Sequence, residues 1–225
     1  MLKNMPLTID VVSDVVCPWC FIGKRHLDRA LQLWRDELPD CPVSVHWRPF
    51  FLNPDTPEAG EPYRPFLEQK FGGPRQVAEL WQRVSTAGRA AGIEFAFEKI
   101  ELRANTLHAH RLIHHAQAGV GADGTATARL VEALFAAQFV DGRNIGERAV
   151  LAAVAGECGM DRAAVLRYLE SAEDADDVRE AAAQAPRMGI SGVPFFIFDR
   201  RLGASGAQPP EVLLQAMRQA VAPGQ

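Results

Sequence analysis

Cysteine is scarce in this chain: four residues among 225, two of them separated only by Pro18 and Trp19 and the other two, Cys41 and Cys158, isolated from each other. Structural zinc usually takes two cysteine pairs, or one pair with a closely spaced histidine pair. The second cysteine pair is missing. His110 and His114 could share a helix face, but no Glu follows His110, so the HExxH pattern is absent as well. Charge of one sign is also lacking. The formal net charge is -4, with acids and bases interspersed. No basic stripe argues for nucleic acid and no Lys/Arg cluster for an anionic membrane. No run approaches the roughly 18 apolar residues of a membrane span. Asp10 and Asp14 interrupt the first apolar stretch, which reads as a strand rather than as a secretory signal. The expectation is a cytoplasmic protein, where thiols stay reduced and a structural bridge between neighbouring cysteines is unfavoured. There is no internal repeat and no low-complexity tract beyond alanine-rich helix faces.

What is present is an ordinary globular balance, 48% hydrophobic and 23% charged. Thr8 to Val15 reads as a strand. From Pro18 to Leu38 the apolar period becomes helical, and Val43 to Phe51 reads as a second strand with Val43, Val45 and Trp47 on one side. Strand, helix and strand make a βαβ unit. Asn53 to Gly73, rich in Pro, Gly and acids, reads as a long connection. Helical segments follow with no convincing strand between them: Val77 to Val84, a helix capped by Asn105 or Thr106, Leu130 to Phe139, Val150 to Val154, and one capped by Asp161. A helix from about Asp174 is expected to break at Pro186. VPFFIF and Leu202 to Ala204 then read as two strands joined by a turn, and Pro209 opens a last helix. The fold class expected is α/β: βαβ and ββα material bracketing an all-α insertion. The divisions are residues 1–55, 56–173 and 174–225.

Cys17 and Cys20 therefore sit where a strand gives way to a helix. Free N–H groups and partial positive charge at a helix start stabilise a thiolate, and thiols there ionise at roughly pH 3.5–7.5. Cys20, one turn further in, can attack a mixed disulfide on Cys17 and release the substrate. Cys17 is the candidate nucleophile and Cys20 the resolving thiol. Pro18, at the first helical position, loses no needed hydrogen bond. Trp19 either shields the disulfide and touches substrate or packs on the insertion. Asp14 either tunes Cys17 and accepts a proton from Cys20, or ends the strand by bonding local backbone. Far away, GISGVPFFIF starts a strand at Pro194. A cis Val193–Pro194 bond would turn the Val193 backbone outward toward an extended ligand, whereas most X-Pro bonds are trans.

The segments SDVVCPWCFIGKRHL, WRPFFLNPD, NTLHAHRL, LFAAQFVDGRNI, GISGVPFFIF and SGAQPPE span nearly the whole chain in order. With them the chain resembles DsbA-type disulfide oxidoreductases of thioredoxin fold with an inserted helical domain, and more closely their cytoplasmic FrnE-like branch. The resemblance implies that Cys17 attacks, Cys20 resolves, and Pro194 is the cis-proline of a loop facing them, with Val193 offering backbone contacts. Kappa-class glutathione transferases and 2-hydroxychromene-2-carboxylate isomerases look similar but carry Ser at the nucleophilic position; this chain keeps both thiols. Asn53, Asn105 and His108 lie in family-like motifs and are candidate cleft residues. Ser205 and Gly206 precede the last helix, whose free N–H groups could hold a carboxylate such as that of glutathione. The function expected is a thiol–disulfide oxidoreductase or isomerase acting on a thiol or disulfide substrate. It carries no bound cofactor, and glutathione is a candidate co-substrate. Two other readings stay open: a glutathione-dependent transferase or isomerase of small aromatic or polyketide-type substrates, and a zinc-binding or interaction protein.

Overall fold

The computed structural model describes residues 6–119 and 124–222. Its centre is strand β1, Leu7–Ser13, buried on both faces at every position but Thr8, as befits a strand in mid-sheet. Helix α1, Pro18–Glu37, crosses over to β2, Val43–Pro49, which pairs parallel with β1 from Leu7↔Val43 to Ser13↔Pro49. The chain returns to this sheet only near its end, where β5, Phe195–Phe198, runs antiparallel to β1 with Ile9 opposite Phe198. Beyond it lies β6, Leu202–Ser205, so the order is β2-β1-β5-β6. Asp199 and Arg200, both at positive φ, make the tight turn between the last two strands.

Alternation along β1 assigns its two faces. Ile9 and Val11 join the main core with α1 and with α9, Pro210–Val221. Val12 instead packs with Ala185 and Ile190, at and just beyond the end of α8, Ala175–Arg187. Between β2 and β5 the chain forms β3 (Glu61–Pro62), α2 (Tyr63–Phe71), α3 (Pro74–Ala90), β4 (Leu102–Arg103), α4 (Leu107–Ala118), α5 (Thr125–Phe139), α6 (Arg148–Glu157), α7 (Arg162–Glu170) and α8. Phe21 of α1 joins this helical part to the sheet. Its ring stacks on Phe135 at 5.1 Å and meets Phe95 edge-on at 6.1 Å. Such aromatic pairs add to the area they bury.

Four expectations change. The stretch from Asn53 to Gly73 contains α2 and β3 rather than a bare connection; Pro65 lies in the first turn of α2, where its missing N–H costs nothing, and Gly72, left-handed at φ 93°, closes the helix. β3 and β4 pair antiparallel, Glu61 opposite Arg103, in strands too short to leave a sequence period. The helix from Asp174 passes through Pro186 and ends at Arg187, because a proline one residue from the end removes a single hydrogen bond. β1 stops at Ser13 and β2 at Pro49, short of Val15 and Phe51. Of the two residues offered as a cap for α4, Asn105 does the bonding: its Oδ1 accepts from Leu107 N–H at 3.0 Å, while Thr106 makes no side-chain cap. Asp161 caps α7 through Ala163 and Ala164 N–H at 2.9 and 3.0 Å.

One side chain substitutes for a missing strand. The Gln117 amide of α4 accepts from Trp47 N–H at 2.6 Å and donates to Trp47 C=O at 3.1 Å, on the open edge of β2.

Candidate active site

After β1 the chain turns at Asp14–Val16, closed by a 3.0 Å bond from Cys17 N–H to Asp14 C=O, and delivers Cys17 to the N-cap of α1. Pro18 occupies the first helical position, and the first turn holds no acidic side chain. Cys17 therefore sits at the positive end of the helix without a competing carboxylate in the first turn. Cys17 is 4% exposed and Cys20 1%. Both are thiols. Burial holds the Cys20 thiol well above its ordinary value, and its hydrogen bond with Cys17 and the charge of Cys17 push the same way. The backbone of Asp14 and the neighbouring hydroxyl of Ser13 pull it down, without prevailing.

Opposite the pair, the Val193–Pro194 peptide bond is cis, and Cys17 Sγ donates to the Val193 carbonyl at 3.7 Å. Pro194 is pinned from both sides. Its carbonyl accepts from Gly206 N–H at 2.8 Å, one residue past Ser205, which pairs with Phe195. Gly23 of α1 lies so close that a Cβ there would stand 2.9 Å from Pro194 Cγ. Cys17, Cys20, Val193, Pro194, Ser205 and Gly206, scattered over nearly the whole chain, thus converge at one end of the sheet. Pro18 and Trp19 lie half-buried between the thiols, and Trp19 packs against the main core.

Asp14 is buried beneath this group and bonded at both oxygens. Oδ2 accepts from Leu52 N–H at 2.8 Å, and Oδ1 lies 3.2 Å from His110 Nε2. Its N–H meets Cys20 and its C=O meets Cys17. Asn53, next to Leu52, accepts from Lys70 Nζ at 3.0 Å through its side-chain oxygen. Asn105 and His108 hold the loop that follows: Asn105 Nδ2 donates to Thr56 C=O at 2.7 Å, and His108 Nε2 lies 3.6 Å from Glu58. Asn105 Nδ2 and His108 Nε2 thus serve this loop, and burial holds the His108 imidazole below its ordinary value, with Arg148 and Arg111 adding to the effect.

Sequence reasoning missed three neighbours of the thiols. Ser13 and His110 lie beside Cys20 and Asp14, and the phenol of Tyr63, raised by burial, also feels the charge of Cys17. Tyr63 starts α2, the helix hidden in the apparent connection. Among the described residues, no three His, Cys, Asp or Glu side chains converge as metal ligands, and no helix is long and apolar enough to cross a membrane.

Chemically, this is a nucleophile at a helix N-terminus, a buried second thiol in contact with it, and a backbone carbonyl facing the first. The chain is similar to a "probable DsbA oxidoreductase" from Streptomyces coelicolor, with 30% identity, a TM-score of 0.83, and 97% of this chain and 92% of that one covered. It is 29% identical to the uncharacterized protein YwbO of Bacillus subtilis (strain 168) over 206 residues, covering 90% of this chain and 92% of YwbO. The cytosolic disulfide reductase DsbM from Pseudomonas aeruginosa, solved with GSH, shares the fold at a TM-score of 0.61 and 19% identity, with 96% of each chain covered. Residues 8–218 match the model of the DSBA-like thioredoxin domain. With that match over nearly its whole length and the two thiols at the head of α1, the chain belongs to the DsbA-like thioredoxin-domain family.

Proposed function

We propose that the protein is a thiol–disulfide oxidoreductase, competent in isomerisation, that cycles Cys17 and Cys20 between dithiol and disulfide. The observation that carries this reading is the Cys17 thiol at the N-cap of α1, bonded to the Val193 carbonyl at 3.7 Å, with Cys20 buried in contact behind it. The Cys17 thiolate attacks a substrate disulfide R–S–S–R′. A Cys17–S–S–R bond forms and R′–S⁻ leaves. Cys20 then gives up its proton and attacks the Cys17 sulfur; the Cys17–Cys20 bond forms and R–S⁻ leaves. The substrate gains two electrons and the protein loses two. Run in reverse, the disulfide oxidises a dithiol substrate. An extended substrate strand pairs with the Val193 backbone, and Pro18 and Trp19 border it.

Glutathione fits as the co-substrate that returns the pair to the dithiol, and the glutathione-bound structure of DsbM supports this role for the fold. In a reducing cytoplasm the dithiol predominates and the net direction is reduction or isomerisation. The test is a titration over glutathione redox ratios, with acid quenching, alkylation and peptide mapping. A Cys17–Cys20 bridge should grow as the ratio becomes oxidising. Cys20→Ser should instead accumulate glutathione on Cys17, and Cys17→Ser should do neither. If no bridge appears at any ratio, the reading fails.

A further inference from the structure

Cys20 has a problem that its own burial creates. At 1% exposure it cannot hand its proton to solvent directly, yet it must lose that proton to resolve the mixed disulfide. A thiol held well above its ordinary value is ionised only in a small fraction at neutral pH. Next to it lies Ser13, 5% exposed, whose hydroxyl can donate to the Cys20 sulfur and has, among the described residues, no nitrogen or oxygen partner. Ser13 also lines a small cleft of about 20 Å³, room for about one water, together with Val15, Trp47, Arg48, His110 and His114. His110 is 5% exposed. Asp14 Oδ1 holds its Nε2 at 3.2 Å, and its ring stands edge-on to Phe51 with centroids 5.5 Å apart. Because Asp14 Oδ2 is fixed by Leu52 N–H, the carboxylate cannot swing away, and the ring keeps one orientation. An imidazole that donates from Nε2 to a carboxylate has Nδ1 left as its base.

We propose that His110, oriented by Asp14 and reached through the Ser13 hydroxyl, takes the proton that Cys20 loses as it resolves the mixed disulfide, and that the cleft carries it to solvent. This rests on the dithiol reading and adds the base which that reading lacks. Cys20–SH, Cys17–S–S–R and neutral His110 go in. The Cys17–Cys20 bond, R–S⁻ and protonated His110 come out. Ser13 accepts from the thiol as it donates into the cleft that it shares with His110, which has room for about one water to complete the path. His110 then returns its proton through the cleft to water or to the departing thiolate. The charged and titratable groups that face this route are Asp14 at the end of β1, Cys17 on α1, Arg48 on β2 (ion-paired with Asp10 at 2.7 Å) and His114 one turn along α4. Of the two histidines, only His110 is held by Asp14.

The experiment uses the full chain. Dithiol protein is mixed rapidly with glutathione disulfide, and closure of the Cys17–Cys20 bond is followed by quenching and mass measurement between about pH 6 and pH 9. The wild-type rate of closure should rise and then level off, the profile of a step assisted by a general base. Ser13→Ala and His110→Gln should each slow closure about tenfold or more near pH 6.5. They should also replace the plateau by a steady rise of about tenfold per pH unit, the behaviour of a thiol ionising without help. A purely structural effect would lower the rate and leave the shape of the profile alone. His110→Gln keeps a donor for Asp14, and Ser13→Ala removes a hydroxyl that anchors no other oxygen or nitrogen, so either variant alone can carry the test. A wild-type profile in either overturns the relay. If wild-type protein never closes the Cys17–Cys20 bond, the dithiol reading fails and the relay falls with it.

Discussion

The two thiols sit one helical turn apart and meet opposite demands. Cys17 stands at the N-cap of the helix facing the Val193 carbonyl, and Cys20 is sealed behind it. Burial gives Cys20 a higher proton affinity in the folded chain than in the unfolded one, where a thiol ionises near pH 8.5. Below that pH both states keep the proton and the stability linked to it is fully present. As pH rises past it, the unfolded chain sheds the proton first, so the folded state loses ground. The stability advantage of reduced wild-type protein over Cys20→Ala should therefore shrink between about pH 8.5 and pH 10 in urea unfolding. Tyr63 and Tyr168 also titrate high, but both proteins share them and they cancel. A gap that stays constant would count against so sealed a thiol. The cysteines were legible because their spacing is local. His110 was visible in sequence only as half of an i, i+4 histidine pair. Its real partner, Asp14, is 96 residues away, and no local pattern records that distance.

Helix α1 carries the site, and its packing fixes the site on two sides. Gly23 lets it approach the proline loop; a Cβ there would sit 2.9 Å from Pro194 Cγ and 3.2 Å from Phe196 Cζ. Gly23→Ala gains up to about 1 kcal/mol in helix propensity and costs about 1–3 kcal/mol in overpacking. The net expectation is a protein less stable by about 1–2 kcal/mol in urea, with slower attack by Cys17 on glutathione disulfide as Pro194 is pushed aside. One residue on, Lys24 is buried at 7% side-chain exposure, with its Nζ 2.7 Å from both Asp28 of α1 and Glu132 of α5. Arg25 holds the same Glu132 at 2.6 Å. Lys24→Met would leave Asp28, whose carboxyl burial already raises, without its nearest cation. A loss of about 2 kcal/mol is expected, below the usual cost of breaking a buried pair because Arg25 still serves Glu132. Arg218→Ala, breaking an ion pair with Glu37 in which both side chains are about half exposed, should leave stability nearly unchanged. Chemical unfolding of the two variants decides. The period of α1 was plain in the sequence; which of its polar residues would be buried was not, since Lys24 reads as a surface residue until α5 is folded over it.

In the molecule as a whole, βαβ, helices and ββα were readable from changes of period, because each element repeats a local rule. What stayed hidden was how distant pieces lock together. Arg111 is the clearest case. It is 1% exposed and donates to the carbonyls of Tyr168, Leu169, Ser171 and Glu173 around the end of α7, with its Nη1 also 3.0 Å from His108 Nδ1. In the sequence it is one basic residue within an amphipathic helix. Its role comes from four carbonyls at and just beyond the end of α7, and only the fold brings these to it. The Gln117 amide on Trp47 works by the same principle at the rim of the sheet. A border strand with open backbone groups invites a second chain to add to it, the first step toward sheet-to-sheet aggregation. By answering both groups of Trp47 as a neighbouring strand would, Gln117 caps that border. A second copy of the chain, or any other unpaired strand, is thereby denied a template there.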